Sequence, residues 1–130
     1  MRGRGLRHGT PDGPAPDYGL YLGTHRLRRR HQHELTWPQQ WIEWPDFLVP
    51  RDPEQAAADI HALHDRARAG ERVEVACGAG IGRTGTVIAC LAVLAGVPPA
   101  DAVAWTRATY HHRAVETARQ RRWIIRFASR

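Results

Sequence analysis

Cys77 is followed six positions later by Arg83, and between them lie Gly78, Ala79, Gly80, Ile81 and Gly82. A cysteine thiolate is a strong nucleophile, and a guanidinium is a planar fork matched to two phosphate oxygens. Alternating glycines let successive backbone N–H groups turn inward with no Cβ in the way, and such a nest binds an oxyanion. The segment Gly78-Ala79-Gly80-Ile81-Gly82-Arg83 therefore has the composition of a phosphate cradle with a sulfur at its floor. A free thiol titrates near ~8.5, and beside a helix N-terminus and a cation the value drops to about 3.5–7.5. A thiolate so placed is set for in-line attack on phosphorus. The Cys-to-Arg spacing alone is weak, because all 19 basic residues are Arg; the weight lies in the whole string of strand, Cys, glycines, Arg83-Thr84-Gly85 and helix.

Such a loop needs a strand to deliver the cysteine and a helix to aim its dipole at the anion. Arg72-Val-Glu-Val-Ala-Cys77 alternates toward a buried strand, and the chain from Arg83 to Leu94 is apolar almost all round, which predicts a buried helix stopped by Gly96. Asp52-Pro53-Glu54 starts a helix with Ala56, Ile60, Leu63 and Ala67 on one face and Gly70 as its stop. Pro98-Pro99 opens another that runs to about Tyr110. Thr117-Ala-Arg-Gln120 fits a capping box, and the helix after it carries Gln120, Trp123, Ile124 and Phe127 on one face and Arg119, Arg122 and Arg126 on another. Gln120 thus points inward with the apolar side chains. Upstream, Trp41–Trp44 predicts a strand halted by Pro45, and Tyr18–Leu22 a short edge strand. Trp37, Trp41 and Trp44 either wall an aromatic pocket or pack in the core. Residues 1–16, rich in Gly, Pro and Arg, read as a disordered tail, which leaves 17–130 as one domain. The expected fold is a compact α/β domain: a small, mostly parallel sheet with Val73–Ala76 central, helices on both sides, and the site at the C-terminal end of that strand.

At Cys77-Gly-Ala-Gly-Ile-Gly-Arg83-Thr84-Gly85 the sequence resembles the cysteine-dependent protein tyrosine phosphatase superfamily, whose signature is Cys, five residues, Arg, then Ser or Thr. The resemblance implies that Cys77 attacks the phosphoryl group to form a phosphocysteine. It also implies that Arg83 holds the equatorial oxygens and that Thr84 assists the thiolate as leaving group. That family uses an upstream aspartate, often within Trp-Pro-Asp, and Trp44-Pro45-Asp46 stands 31 residues before Cys77. A positioned acid is worth roughly 10²–10⁴-fold when the leaving group is an alkoxide or phenoxide. Glu116-Thr117-Ala-Arg-Gln120 is similar to the family segment whose glutamine orients the hydrolytic water, beside the plain reading as a capping box. The similarity covers about residues 40–125. Ala76 stands where the family usually has His, the segment that clamps a phosphotyrosine ring in large members is absent, and region 18–40 is compressed, so an early strand or helix is expected to be missing. The implied domain at 17–130 is a phosphatase-like catalytic domain, of dual-specificity or tyrosine-specific type, needing no cofactor or metal. Its substrate is a phosphorylated protein or a small phosphomonoester. The loop has no further Lys or Arg between Cys77 and Arg83, which speaks against a highly charged inositol phosphate.

Composition bounds the alternatives. At 130 residues the chain has room for one domain; 42% hydrophobic and 25% charged residues are globular proportions. The longest apolar run, Val87–Val97, is too short for the ~20 residues of a membrane helix, and no signal peptide is evident. Two cysteines exclude a disulfide scaffold and point to the reducing cytoplasm. Lys and Asn are absent and Ala is abundant, a bias typical of GC-rich bacterial genomes. The net charge of +6 gathers in Arg2–Arg7, Arg26–Arg30 and Arg119–Arg130. The first reading of these runs is solvated surface; a nucleic-acid partner is disfavoured because no stacking aromatics interleave with them. Rival classes are a phosphate-binding module with little turnover and another sulfur-based enzyme. An arsenate reductase of that kind wants a resolving cysteine, and Cys90, seven residues along the helix, is too far for one. The paired histidines lack a third ligand for a metal. Nothing specifies an oligomeric state.

Overall fold

In a computed structural model describing residues 1–130, the chain runs β1 (Arg2–Gly5), β2 (Tyr18–Gly23), α1 (His25–His31), β3 (Gln39–Glu43), α2 (Pro53–Arg68), β4 (Val73–Cys77), α3 (Gly82–Leu94), α4 (Ala102–Thr109) and α5 (Ala118–Ala128). The four strands form one parallel sheet in the order β1-β4-β2-β3. Parallel sheets are covered on both faces, and side chains of β4 divide accordingly. Val73, Val75 and Cys77 face a large core shared with Leu20, Leu22, Ile42 and residues of α2, α3 and α5. Ala76 faces a smaller cluster with Leu6, Tyr21 and Leu35, against which Leu27 of α1, Trp37 and Trp41 pack. The fold class expected from sequence holds, with helices on both faces. No helix is long and apolar enough to cross a membrane.

The helices form where their signals stand. Asp52 caps α2 by accepting the Gln55 amide at 3.1 Å, Pro53 occupies its first position, and Gly70 leaves it in the left-handed region at φ +92°. In α3 every residue from Gly82 through Ala92 is buried, because the helix lies on the sheet and is ringed by α2, α4 and α5. In α5, Trp123, Ile124, Phe127 and Gln120 face inward.

Two expectations need correction. Residues 1–16 are not a free tail: Arg2–Gly5 pair in parallel with Glu74–Cys77, and Leu6 is buried. The physical reason is Glu74, fully buried on the small face of β4. Its carboxylate accepts Arg2 Nε at 2.7 Å, Arg4 Nε at 2.5 Å and the Tyr21 hydroxyl at 2.6 Å. A buried carboxylate without partners is costly, and the first strand supplies two of them. The folded body thus begins at Arg2 rather than at residue 17. Nor is Tyr18–Gly23 an edge strand; it hydrogen-bonds to both β4 and β3 and is buried from Gly19 onward. The compressed region 18–40 holds β2, α1 and the start of β3.

Candidate active site

Cys77 ends β4, and the chain turns through four residues into α3. The Gly80 amide and the Thr84 hydroxyl both donate to Cys77 Sγ, at 3.2 and 3.0 Å. Two donors aimed at one sulfur are the arrangement a thiolate accepts. The turn depends on Gly80, at φ +80°, where an added Cβ meets Gly5 N at 2.4 Å; β1 lies directly against the loop. The Arg7 amide donates to the Gly78 carbonyl at 3.1 Å, and the Tyr110 hydroxyl donates to the Gly80 carbonyl. Burial, with the nearby Cys77 charge, pushes the Tyr110 phenol up to about 12, so it stays a donor there.

Arg83 is buried beside this loop. Its Nη1 donates to the Trp44 carbonyl at 3.0 Å, and its Nε stands 3.5 Å from Asp46 Oδ1 without a hydrogen-bond partner. Asp46 is half exposed, and its Oδ1 also accepts the Phe47 amide at 3.0 Å. Phe47 takes φ +62°, an unusual conformation for a non-glycine residue next to a candidate acid. Gln120 is fully buried; its Oε1 accepts the Glu116 amide at 2.9 Å, and its Nε2 stands 3.5 Å from the Leu48 carbonyl. Only half of the expected capping box forms: Thr117 Oγ1 accepts the Gln120 amide at 3.2 Å. The Gln120 side chain reaches one residue further back, to Glu116 rather than Thr117. Arg107 holds that segment by donating to the Ala114 and Val115 carbonyls, both at 2.8 Å.

The structure thus brings Cys77, Arg83, Thr84 and Asp46 into one chain of contacts, with Gln120 joined through Leu48, two residues past the aspartate. Cys90 is elsewhere, in the large core, where burial pushes its thiol up; both cysteines are free. None of the three tryptophans lines the site. Trp44 is buried against Trp123 with ring centroids 5.5 Å apart and donates to the Leu48 carbonyl, while Trp37 and Trp41 pack on the small face.

A family model for protein-tyrosine phosphatases matches residues 20–126. The chain belongs to that family. Receptor-type tyrosine-protein phosphatase V of Rattus norvegicus is 32% identical over 81 residues, 60% of this chain and 4% of that protein, so this family member spans only a small part of its curated relative. Among solved structures, Tk-PTP in its active form superposes with TM-score 0.75 at 24% identity, covering 88% of this chain and 80% of that one. Kinase associated phosphatase carrying a serine for its catalytic cysteine gives 0.71 at 15% identity, covering 86% and 68%. These structures share the phosphatase fold.

Several residues around Arg83 and Asp46 had no site role assigned from sequence. Asp46 and Arg83 open onto a cavity of about 280 Å³ whose other walls are Arg7, Thr24, Arg26, Leu27, Arg30 and His31. Cys77, 2% exposed, is not among the lining residues. In sequence, Arg7 belongs to the run Arg2–Arg7, and Arg26 and Arg30 to the run Arg26–Arg30, both read first as solvated surface. No cluster of three or more His, Cys, Asp or Glu side chains is placed to hold a metal ion.

Proposed function

We propose that the protein hydrolyses phosphomonoesters in two steps through a phosphocysteine on Cys77. The observation that carries this reading is the convergence of two hydrogen-bond donors on Cys77 Sγ beside the pair of buried Arg83 and half-exposed Asp46. In the first step the sulfur attacks phosphorus in line, the bond to the leaving oxygen breaks, and Asp46 gives that oxygen its proton. The amides of Gly78, Ala79, Gly80, Ile81 and Gly82 and the guanidinium of Arg83 hold the phosphoryl oxygens. The unpartnered Nε of Arg83 supports this role, since one donor is free for an oxygen. In the second step water attacks phosphorus, Asp46 takes its proton, and the S–P bond breaks. Thr84 then donates to the departing sulfur, and Gln120 orients the water.

Family membership supports a phosphorylated protein, at tyrosine or with dual specificity, as one substrate class; small phosphomonoesters present the same group. Two free cysteines fit a reducing compartment such as the cytoplasm. The wild type is expected to hydrolyse p-nitrophenyl phosphate and Cys77→Ser to lose that activity while still binding vanadate. Tight vanadate binding by a wild type without turnover would instead identify a phosphate-binding module.

A further inference from the structure

The cavity in front of Arg83 and Asp46 has an unusual wall. Arg7, Arg26 and Arg30 join Arg83 around about 280 Å³, and the single carboxylate among the lining residues is Asp46. The sequence argued against a highly charged substrate because the loop between Cys77 and Arg83 holds no further cation; here the cations arrive from two other elements. Arg26 and Arg30 stand on one face of α1, and Arg7 follows β1, whose register against β4 brings it to the Gly78 carbonyl.

These three charges have no partner inside the molecule. Arg2, Arg4, Arg51, Arg66 and Arg130 each pair with a carboxylate, whereas Arg7, Arg26 and Arg30 have none within 4.0 Å. Glu34, just past α1, is engaged with the buried His31 at 3.5 Å. A cavity of this size keeps its charged walls within about one Debye length, roughly 8–10 Å, of one another, so their fields add. One apolar residue, Leu27, lines the cavity, and all three tryptophans near the loop pack elsewhere. An aromatic ring would find little to cover it, but a second anion would find three unpaired guanidinium groups.

We infer that the site takes a compact phosphomonoester bearing a second phosphate, held by Arg7, Arg26 and Arg30 while Arg83 holds the phosphoryl group at Cys77. This rests on the proposed phosphatase reading and narrows its substrate. The volume suits a small polyol or sugar phosphate, free or as a lipid headgroup.

The test compares inositol 1,4-bisphosphate with inositol 1-phosphate, and vesicles of phosphatidylcholine containing phosphatidylinositol 4-phosphate with plain vesicles to which free bisphosphate is added. Affinity is read by calorimetry on Cys77→Ser, and kcat/KM on the wild type. The bisphosphate is expected to bind at least about tenfold tighter than the monophosphate, since one charge-assisted contact exceeds that factor. In the Arg26→Ala, Arg30→Ala double variant, and separately in Arg7→Ala, the ratio is expected to fall toward one with folding intact by circular dichroism. The vesicle arm assigns the second phosphate to a lipid or a soluble source, and a preference in either form supports the inference. Equal binding of the two inositol phosphates, a ratio untouched by the arginine variants, or a singly phosphorylated tyrosyl peptide preferred over the bisphosphate overturns it. Wild type without turnover on any phosphate, p-nitrophenyl phosphate included, defeats the phosphatase reading alone, because the binding ratio on Cys77→Ser still decides the subsite.

Discussion

Asp46 stands in the loop after β3, with Arg83 Nε 3.5 Å from its carboxylate and the Phe47 amide on the same oxygen. Its proposed work is to protonate the leaving oxygen, and the need for that proton grows with the basicity of the leaving group. Asp46→Asn is therefore expected to lower kcat by about 10²–10⁴ on an alkyl phosphate and by clearly less on p-nitrophenyl phosphate, whose phenolate leaves unaided. Steady-state kinetics across a series of leaving groups measures this, and a uniform loss across the series would remove Asp46 from the acid role. At this scale much was legible. Cys77, Arg83, Thr84 and Asp46 meet because each sits at a strand end or helix start that local signals marked. The cavity arginines were not legible, since a guanidinium in water and one on a cavity wall look identical in a sequence whose every base is Arg.

At the scale of elements, β1 is held by charge rather than by apolar area. Burial raises the Glu74 carboxyl pKa, but hydrogen bonds from Arg4, Tyr21 and Arg2 outweigh it and leave the group below its ordinary value. A depressed folded pKa contributes stability that is complete above the unfolded value of about 4.3 and is lost as pH falls through the folded one. Glu74→Gln keeps the shape and leaves the buried Arg4 unpaired, so it is expected to cost about 3–5 kcal/mol at neutral pH. Chemical denaturation measures that loss. Melting curves below pH ~4 are expected to fall more steeply for the wild type than for the variant, with parallel profiles counting against the ion pair. This element also shows why part of the fold was hidden. Arg2-Gly-Arg-Gly5 has no apolar alternation, and its inward side chains are of the type that usually marks solvent. The available clue was Glu74 itself, an acid in the middle of an otherwise buried strand, which demands cations from somewhere. The strands and helices with apolar faces, β3, β4, α2, α3 and α5, were legible because burial and periodicity coincide in them.

Over the whole molecule, the net charge of +6 says less than its distribution. Arg2 and Arg4 are consumed by Glu74, and Arg28 lies over the Trp41 ring at 6.0 Å. Arg7, Arg26 and Arg30 crowd the cavity, while Arg119, Arg122 and Arg126 flank Val49 and Trp123 near the Asp46 loop. A positive field on the site side should steer anionic substrates, so kcat/KM on a phosphomonoester is expected to fall several-fold between about 30 and 300 mM salt while kcat changes much less. Stopped-flow or initial-rate measurements at constant pH check this, and a flat response would mean the field does not act on encounter. The pairing of Gly5 with Cys77 carries a last consequence, for biosynthesis. Glu74 lies 72 residues beyond the Arg2 that it binds, so β1 waits for β4, the last of the four strands in chain order, to find its place. Contacts so distant along the chain close slowly. A nascent polypeptide then cannot set the loop from Cys77 to Arg83 against β1 until β4 has emerged and captured that strand.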